Sequence, residues 1–89
     1  MSQSYPNPFT EGGTTIEFDM PVTEQITMVI LDVRGWVVRT LINNEQRFGY
    51  QSVVWDAKND DGDKVSSGVY FYQIRSNNFN AVGKLVFVK

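Results

Sequence analysis

The chain contains no cysteine and no histidine. That removes disulfides, thiolate nucleophiles, imidazole bases and every zinc site built from those ligands, so a Ser–His–Asp triad would lack its base. The redox compartment stays open, because a cysteine-free domain suits cytosol, periplasm or medium equally. No run approaches the roughly 20 apolar residues of a helical membrane span. The start Met1-Ser2-Gln3-Ser4 lacks the basic and apolar regions of an export leader. The domain is therefore expected either to be cytosolic or to come from a longer exported chain. Eight Lys and Arg stand against ten Asp and Glu, for a net charge of −2. With no basic cluster to neutralise phosphates, nucleic acid is not an expected partner. At 89 residues there is room for one hydrophobic core and no second lobe, so residues 1–89 are read as one domain.

What is present is β-periodicity. Short alternating or apolar runs are punctuated by Gly, Asn and Asp, and no 3.6-residue period is sustained. Two of the three prolines fall in Tyr5-Pro6-Asn7-Pro8-Phe9. They deny backbone donors and predict an extended, irregular lead-in over 1–13, with Tyr5 and Phe9 docked on the core and Gly12-Gly13 turning the chain. Thr14–Met20 alternates, with Ile16, Phe18 and Met20 inward and Thr15, Glu17 and Asp19 outward. Pro21 is expected to end that strand. Gln25–Val33 follows, with Ile26, Met28 and Ile30 on the core face, and Asp32–Gly35 supplies a turn. Trp36–Ile42 reads as the next strand, with Val38 and Leu41 its buried pair across a bulge. After a polar loop at Asn43–Gly49, the strand of Gln51, Val53 and Trp55 carries Trp55 into the core. A loop at Asp56–Ser67 leads to Gly68–Arg75, with Tyr70, Tyr72 and Ile74 inward. Asn77-Asn78 is expected to turn through positive φ. Phe79–Lys89 is the last strand, with Leu85 and Phe87 inward and Lys84, Val86 and Val88 outward. About seven short strands with turns about every 8–12 residues predict an all-β antiparallel sandwich over 14–89.

Three constellations could carry chemistry. The densest polar cluster, Asp56-Ala57-Lys58-Asn59-Asp60-Asp61-Gly62-Asp63, has the oxygen content of a calcium loop but not the EF-hand spacing. With Gly62 at the turn, the first ligand position falls on Ala57; with Asp56 first, Lys58 takes the third. A solvated Asn/Asp/Gly turn is the favoured reading, and calcium binding is left open. Glu17 and Asp19 share a face but sit on an exposed strand with no pocket-forming insertion, so a glycosidase pair is set aside. Trp36, Tyr50 and Phe71 fall opposite the core and could stack on sugar rings, although scattered surface aromatics are the favoured reading. No catalytic residue, cofactor or metal ligand is assigned, and the chain is not expected to be an enzyme.

Taken in order, Ser4-Tyr5-Pro6-Asn7-Pro8-Phe9, Thr14–Pro21, Ile30-Leu31-Asp32-Val33-Arg34-Gly35, Gly49 to Trp55-Asp56, Ser66–Tyr72 and Lys84–Lys89 resemble the C-terminal sorting domain of the type IX secretion system. That family is itself similar to the immunoglobulin-like domain of the flagellar hook-capping protein. The sequence departs from the sorting family at Ser4, Trp36 and Gly83. The resemblance implies an immunoglobulin-like sandwich acting as a folded address at the C-terminus of an exported passenger, destined for the cell surface or medium. Its implied partners are an outer-membrane translocon and a sortase-like peptidase. On that reading Lys84, Val86, Val88 and Lys89 would meet the translocon; otherwise the lysines are solubilising charges that protect a sheet edge. The alternative function is a structural or carbohydrate-binding accessory module of the same fold.

Overall fold

The computed structural model describes residues 2–89. Among these residues five strands form one antiparallel sheet: β1 (Ser2–Tyr5), β2 (Thr14–Leu31), β3 (Val37–Trp55), β4 (Gly68–Arg75) and β5 (Asn80–Phe87). β2 organises the rest. One of its edges pairs with β3 from Thr14↔Trp55 to Leu31↔Val37. The other is divided, β1 taking Thr15–Phe18 and β4 taking Thr27–Leu31. β5 then pairs with β4 from Gly68↔Phe87 to Arg75↔Asn80. A strand that serves different neighbours along its length must bend, and the sheet curls into a half-barrel in which β1 approaches β5. Tyr72 Oη donates to Ser2 Oγ at 2.9 Å across that seam. The lead-in closes it further along. Phe9 N–H donates to Val86 O, and Val88 N–H to Phe9 O, both at 2.8 Å.

The concave face is the core. Ile16, Phe18, Met20, Ile26, Met28, Ile30, Trp55, Tyr70, Tyr72, Ile74, Leu85 and Phe87 are all buried, as alternation predicts. Phe9 is buried as expected and lies against Trp55 and Phe87, with ring centroids 5.6 and 5.2 Å away. Trp55 meets Tyr70 edge-on at 5.3 Å, and its indole N–H donates to Lys58 O at 2.9 Å. Phe9, Trp55, Tyr70 and Phe87 therefore link the lead-in, β3, β4 and β5 through one aromatic cluster whose single indole donor is satisfied.

The expected sandwich of about seven short strands is corrected to one curled sheet of five, because two of those present are long and bent. Pro21 does not end its strand. The ladder passes from Met20↔Gly49 to Glu24↔Arg47, so Pro21–Thr23 bulge opposite Phe48, where a missing N–H breaks no ladder bond. Asn43–Gly49 is likewise strand, its irregularity absorbed by left-handed Asn44 (φ 51°) and Gly49 (φ 79°). The lead-in is not irregular throughout, since Ser2–Tyr5 pairs with β2; Met1 lies outside the described residues. Tyr5 is 74% exposed instead of docked, because it stands opposite Thr15 and paired residues share a face. In the stretch expected as Trp36–Ile42, Ile42 is the fully buried residue and Val38 and Leu41 are only partly covered. The turn before β5 does not use positive φ at Asn77 or Asn78; Ser76 Oγ accepts from the amides of Asn78 and Phe79 at 3.0 and 3.1 Å.

Gly83, a departure from the sorting family, is fixed by packing. It stands opposite Tyr72, and a Cβ there would come 2.1 Å from the tyrosine ring. Gly83→Ala is expected to cost about 1–3 kcal/mol in urea denaturation through overpacking. The penalty should shrink in a Tyr72→Ala background, where the ring is gone. An equal penalty in both backgrounds would show that the ring is not what fixes the glycine.

Candidate functional site

Away from the seam, the β2–β3 turn and the Asp56–Ser67 loop enclose an open cleft of about 590 Å³. Asp32, Arg34, Trp36, Asp60, Val65 and Tyr70 are among its walls. The turn is built by Asp32, whose Oδ1 accepts from the amides of Arg34 (2.9 Å) and Trp36 (3.1 Å) while Gly35 takes φ 86°. Arg34 Nη2 reaches Asp32 Oδ2 at 2.8 Å. Its guanidinium carbon lies 6.0 Å from the centroid of the Trp36 ring, a cation–π distance. The Arg34 guanidinium holds the Asp32 carboxyl below the usual aspartate range, with the Trp36 and Arg34 amides adding to the effect and partial burial opposing it. Val33, Trp36 and Val37 stay exposed, giving the tip an apolar surface.

The facing loop folds around Asn59, whose Oδ1 accepts from the amides of Asp61 (3.0 Å) and Asp63 (2.9 Å), with Gly62 at φ 87°. It is tied to the outer edge of β3. Asp60 N–H donates to Val38 O at 3.0 Å, and Thr40 N–H donates to Asp60 Oδ1 at 2.9 Å. Arg39 donates to Asn59 O and lies 3.7 and 3.9 Å from Asp56 and Asp60. Asp60 and Asn59 are thus engaged with backbone amides, and Asp56 faces a guanidinium. Among the described residues no group of three or more His, Cys, Asp or Glu is placed to hold a metal ion. On the floor, the Tyr70 hydroxyl donates to Ser66 O at 2.6 Å, and burial raises its pKa. What this arrangement offers is a fixed surface of mixed character: an exposed indole, an arginine and carboxylates on a rigid frame.

The residues singled out from sequence are dispersed. Lys84, Val86 and Val88 lie along the outward row of β5 and just past its end, and Lys89 follows with its amide on Ser67 Oγ at 3.1 Å. Their backbone is already engaged: Asn7 Nδ2 donates to Lys84 O (2.8 Å), and Val86 N–H donates to Asn7 Oδ1 (2.9 Å). Lys84 and Lys89 are exposed, Val86 is half-buried, and the row borders no part of the cleft. Trp36, Tyr50 and Phe71 make no common platform. Trp36 is at the hairpin tip, Tyr50 stands opposite Asp19 towards the other end of the hairpin, and Phe71 is half-buried beside Leu31. Sequence reasoning identified the Asp32–Gly35 turn and the acidic loop but missed Arg39 and its tie to Asp56 and Asp60. A lone arginine on a strand carries no local signal of a partner about 20 residues away.

A curled antiparallel β domain with a loop-end cleft belongs to the immunoglobulin-like class. The profile of the FlgD Ig-like domain matches residues 4–79, and the chain belongs to that family. The basal-body rod modification proteins FlgD of Salmonella typhimurium and Salmonella typhi are each 38% identical to it over 63 residues, 71% of this chain. The chain spans only 27% of the length of these curated relatives. Among solved structures, PorZ of Porphyromonas gingivalis, described as an essential bacterial surface component of the type-IX secretion system, is similar with a TM-score of 0.68. That likeness covers 99% of this chain and 11% of PorZ at 22% identity, and it shows the fold alone. The sorting-address function, with its carbohydrate-binding alternative, is corrected by these findings. The match is to the FlgD domain, and it ends at residue 79, before the Lys84–Lys89 segment expected to meet a translocon.

Two outcomes are expected at the cleft. Asp60→Asn keeps an acceptor for the Thr40 amide and should change stability by less than about 0.5 kcal/mol, whereas Asp60→Ala should cost about 1 kcal/mol. Hydrogen exchange at Thr40 should accelerate only in the alanine variant. Asp32, with its folded pKa depressed, contributes stability that is complete above the unfolded aspartate value and is lost as pH falls through the folded one. Arg34→Ala should move the Asp32 carboxyl-carbon NMR titration up towards the ordinary range; an unchanged midpoint would deny Arg34 that role.

Proposed function

We propose that the chain is the non-catalytic immunoglobulin-like module of a FlgD-type protein, a rigid protein-docking element in a bacterial assembly outside the cytoplasm. The observation that carries this reading is the family match over residues 4–79, with the FlgD relatives at 38% identity. Those relatives are named for modifying the basal-body rod, and an equivalent structural role is proposed for the parent of this module. The tip cleft is the proposed contact. Trp36 and Arg34 are exposed on a turn that Asp32 holds in one shape, so a partner would meet them with little ordering cost. Aromatic and arginine side chains in such positions are the residue types that dominate binding energy at protein interfaces.

The test places residues 2–89 in Salmonella FlgD in exchange for its own Ig-like segment and scores flagellar assembly in a strain lacking FlgD. The chimaera is expected to restore assembly, and the same chimaera carrying Arg34→Ala and Trp36→Ala to lose at least about fivefold in swimming cells, as expected for removal of two anchors worth about 1–2 kcal/mol together. Thermal unfolding of the isolated double variant should match the parent. A folded chimaera that restores nothing would contradict the proposed role, and full assembly by the double variant would contradict the tip as its contact.

A further inference from the structure

We infer that the outer edge of β3 over Tyr50–Val54 pairs with the same segment of a second copy, antiparallel and centred on Ser52, to form a symmetric dimer; this goes beyond the docking role proposed for the tip. Among the described residues, several of the chain's other edge segments are guarded. The start of β3 is covered by Asp60, which bonds Val38 O and Thr40 N–H. The end of β5 is covered by Asn7 and Phe9, which take up Lys84 O, the Val86 N–H and C=O, and the Val88 N–H. β1 is only four residues long, and its far side faces β5. Along the middle of β3, left-handed Asn44 and Gly49 break the regular edge and Glu45 and Arg47 charge it. These are the devices by which sheets avoid edge-to-edge association.

Tyr50-Gln51-Ser52-Val53-Val54 has none of them. It holds no proline, glycine or charge, it pairs with β2 on one side only, in unbroken register from Asp19↔Tyr50 to Thr15↔Val54, and no backbone bond occupies its other side. Its outward row is exposed, Tyr50 at 65% and Val54 at 59%. Tyr50 is held upright by donating to Glu17 Oε2 at 2.6 Å.

The pattern is self-complementary. Antiparallel pairing about Ser52 sets Tyr50 opposite Val54 of the second copy, twice, an aromatic–β-branched pair of the kind that stabilises sheets. Gln51 falls opposite Val53. The uncharged stretch Phe48–Trp55 is bounded by Arg47 and Asp56, and this register keeps Arg47 of one copy, held by its own Glu45 at 2.7 Å, away from Arg47 of the other. Parallel pairing would set like charges together. The closed twofold leaves no further edge of this kind for growth, and six strands then run continuously across the dimer, three from each copy.

Sedimentation of the chain up to millimolar concentration is expected to show a reversible monomer–dimer equilibrium. Since the chain has no native cysteine, Ser52→Cys provides a clean trap. Residues directly opposite in an antiparallel pair lie within disulfide reach, so mild oxidation should cross-link this variant at least about tenfold faster than Val33→Cys at the exposed hairpin tip. A chain that stays monomeric throughout, or a Ser52→Cys variant that cross-links no faster than the tip control, would overturn the inference.

Discussion

The structure depends on one constraint: β2 must satisfy two different neighbours along a single edge while keeping every second side chain in the same core. β1 takes its first half and β4 its second, and the opposite edge is held throughout by β3. Backbone pairing of that kind is compatible with a dry interior only if the hairpin bends, and the bend falls where the ladder gives way, at Pro21–Thr23 against Phe48. Curling then brings the two halves together. Phe9, Trp55, Tyr70 and Phe87 fill the space between them, and Tyr72 spans to β1 over a glycine that leaves room for its ring.

That arrangement separates the surface into regions with different tasks. At the β2–β3 tip and the loop facing it, short polar side chains are used on backbone amides: Asp32 on Arg34 and Trp36, Asn59 on Asp61 and Asp63, Asp60 on Thr40. Loops fixed in this way can present Arg34 and Trp36 without a large entropy cost on binding. The lead-in does comparable work on β5, where Asn7 imitates a neighbouring strand with its amide group. A domain with so small a core gains from such side-chain ties, since each satisfies backbone groups that its few strands leave over.

Much of this was legible in the sequence where a period of two operates without interruption. Ile16, Phe18 and Met20, then Tyr70, Tyr72 and Ile74, then Leu85 and Phe87 announce their faces, and Trp55 follows from its own strand. Continuity was not legible. Pro21 and the polar run Asn43–Gly49 look like breaks, and only the opposing strand shows that they are bulges within one ladder. Tyr5 misled for a related reason: its register with Thr15, not its hydrophobicity, decides which way it points. For the site, the local turns at Asp32 and Asn59 could be read, and the long-range tie through Arg39 could not. The immunoglobulin-like kinship was visible in the order of the elements. The sorting role was not supported, because strand and turn signatures specify a fold and leave the task to surfaces that a fold-level likeness does not specify.

The continuity of the long hairpin is most directly examined by residue-resolved hydrogen exchange in the native state. Glu45–Arg47 pair with Glu24–Ile26 in the half of the hairpin beyond the bend. Their amides that face β2 are expected to exchange far more slowly than the exposed Asp61–Asp63 loop and to share the opening free energy of core amides in Thr27–Ile30. Exchange of Glu45–Arg47 at the rate of an unprotected loop would contradict a continuous β3, and with it the single curled sheet.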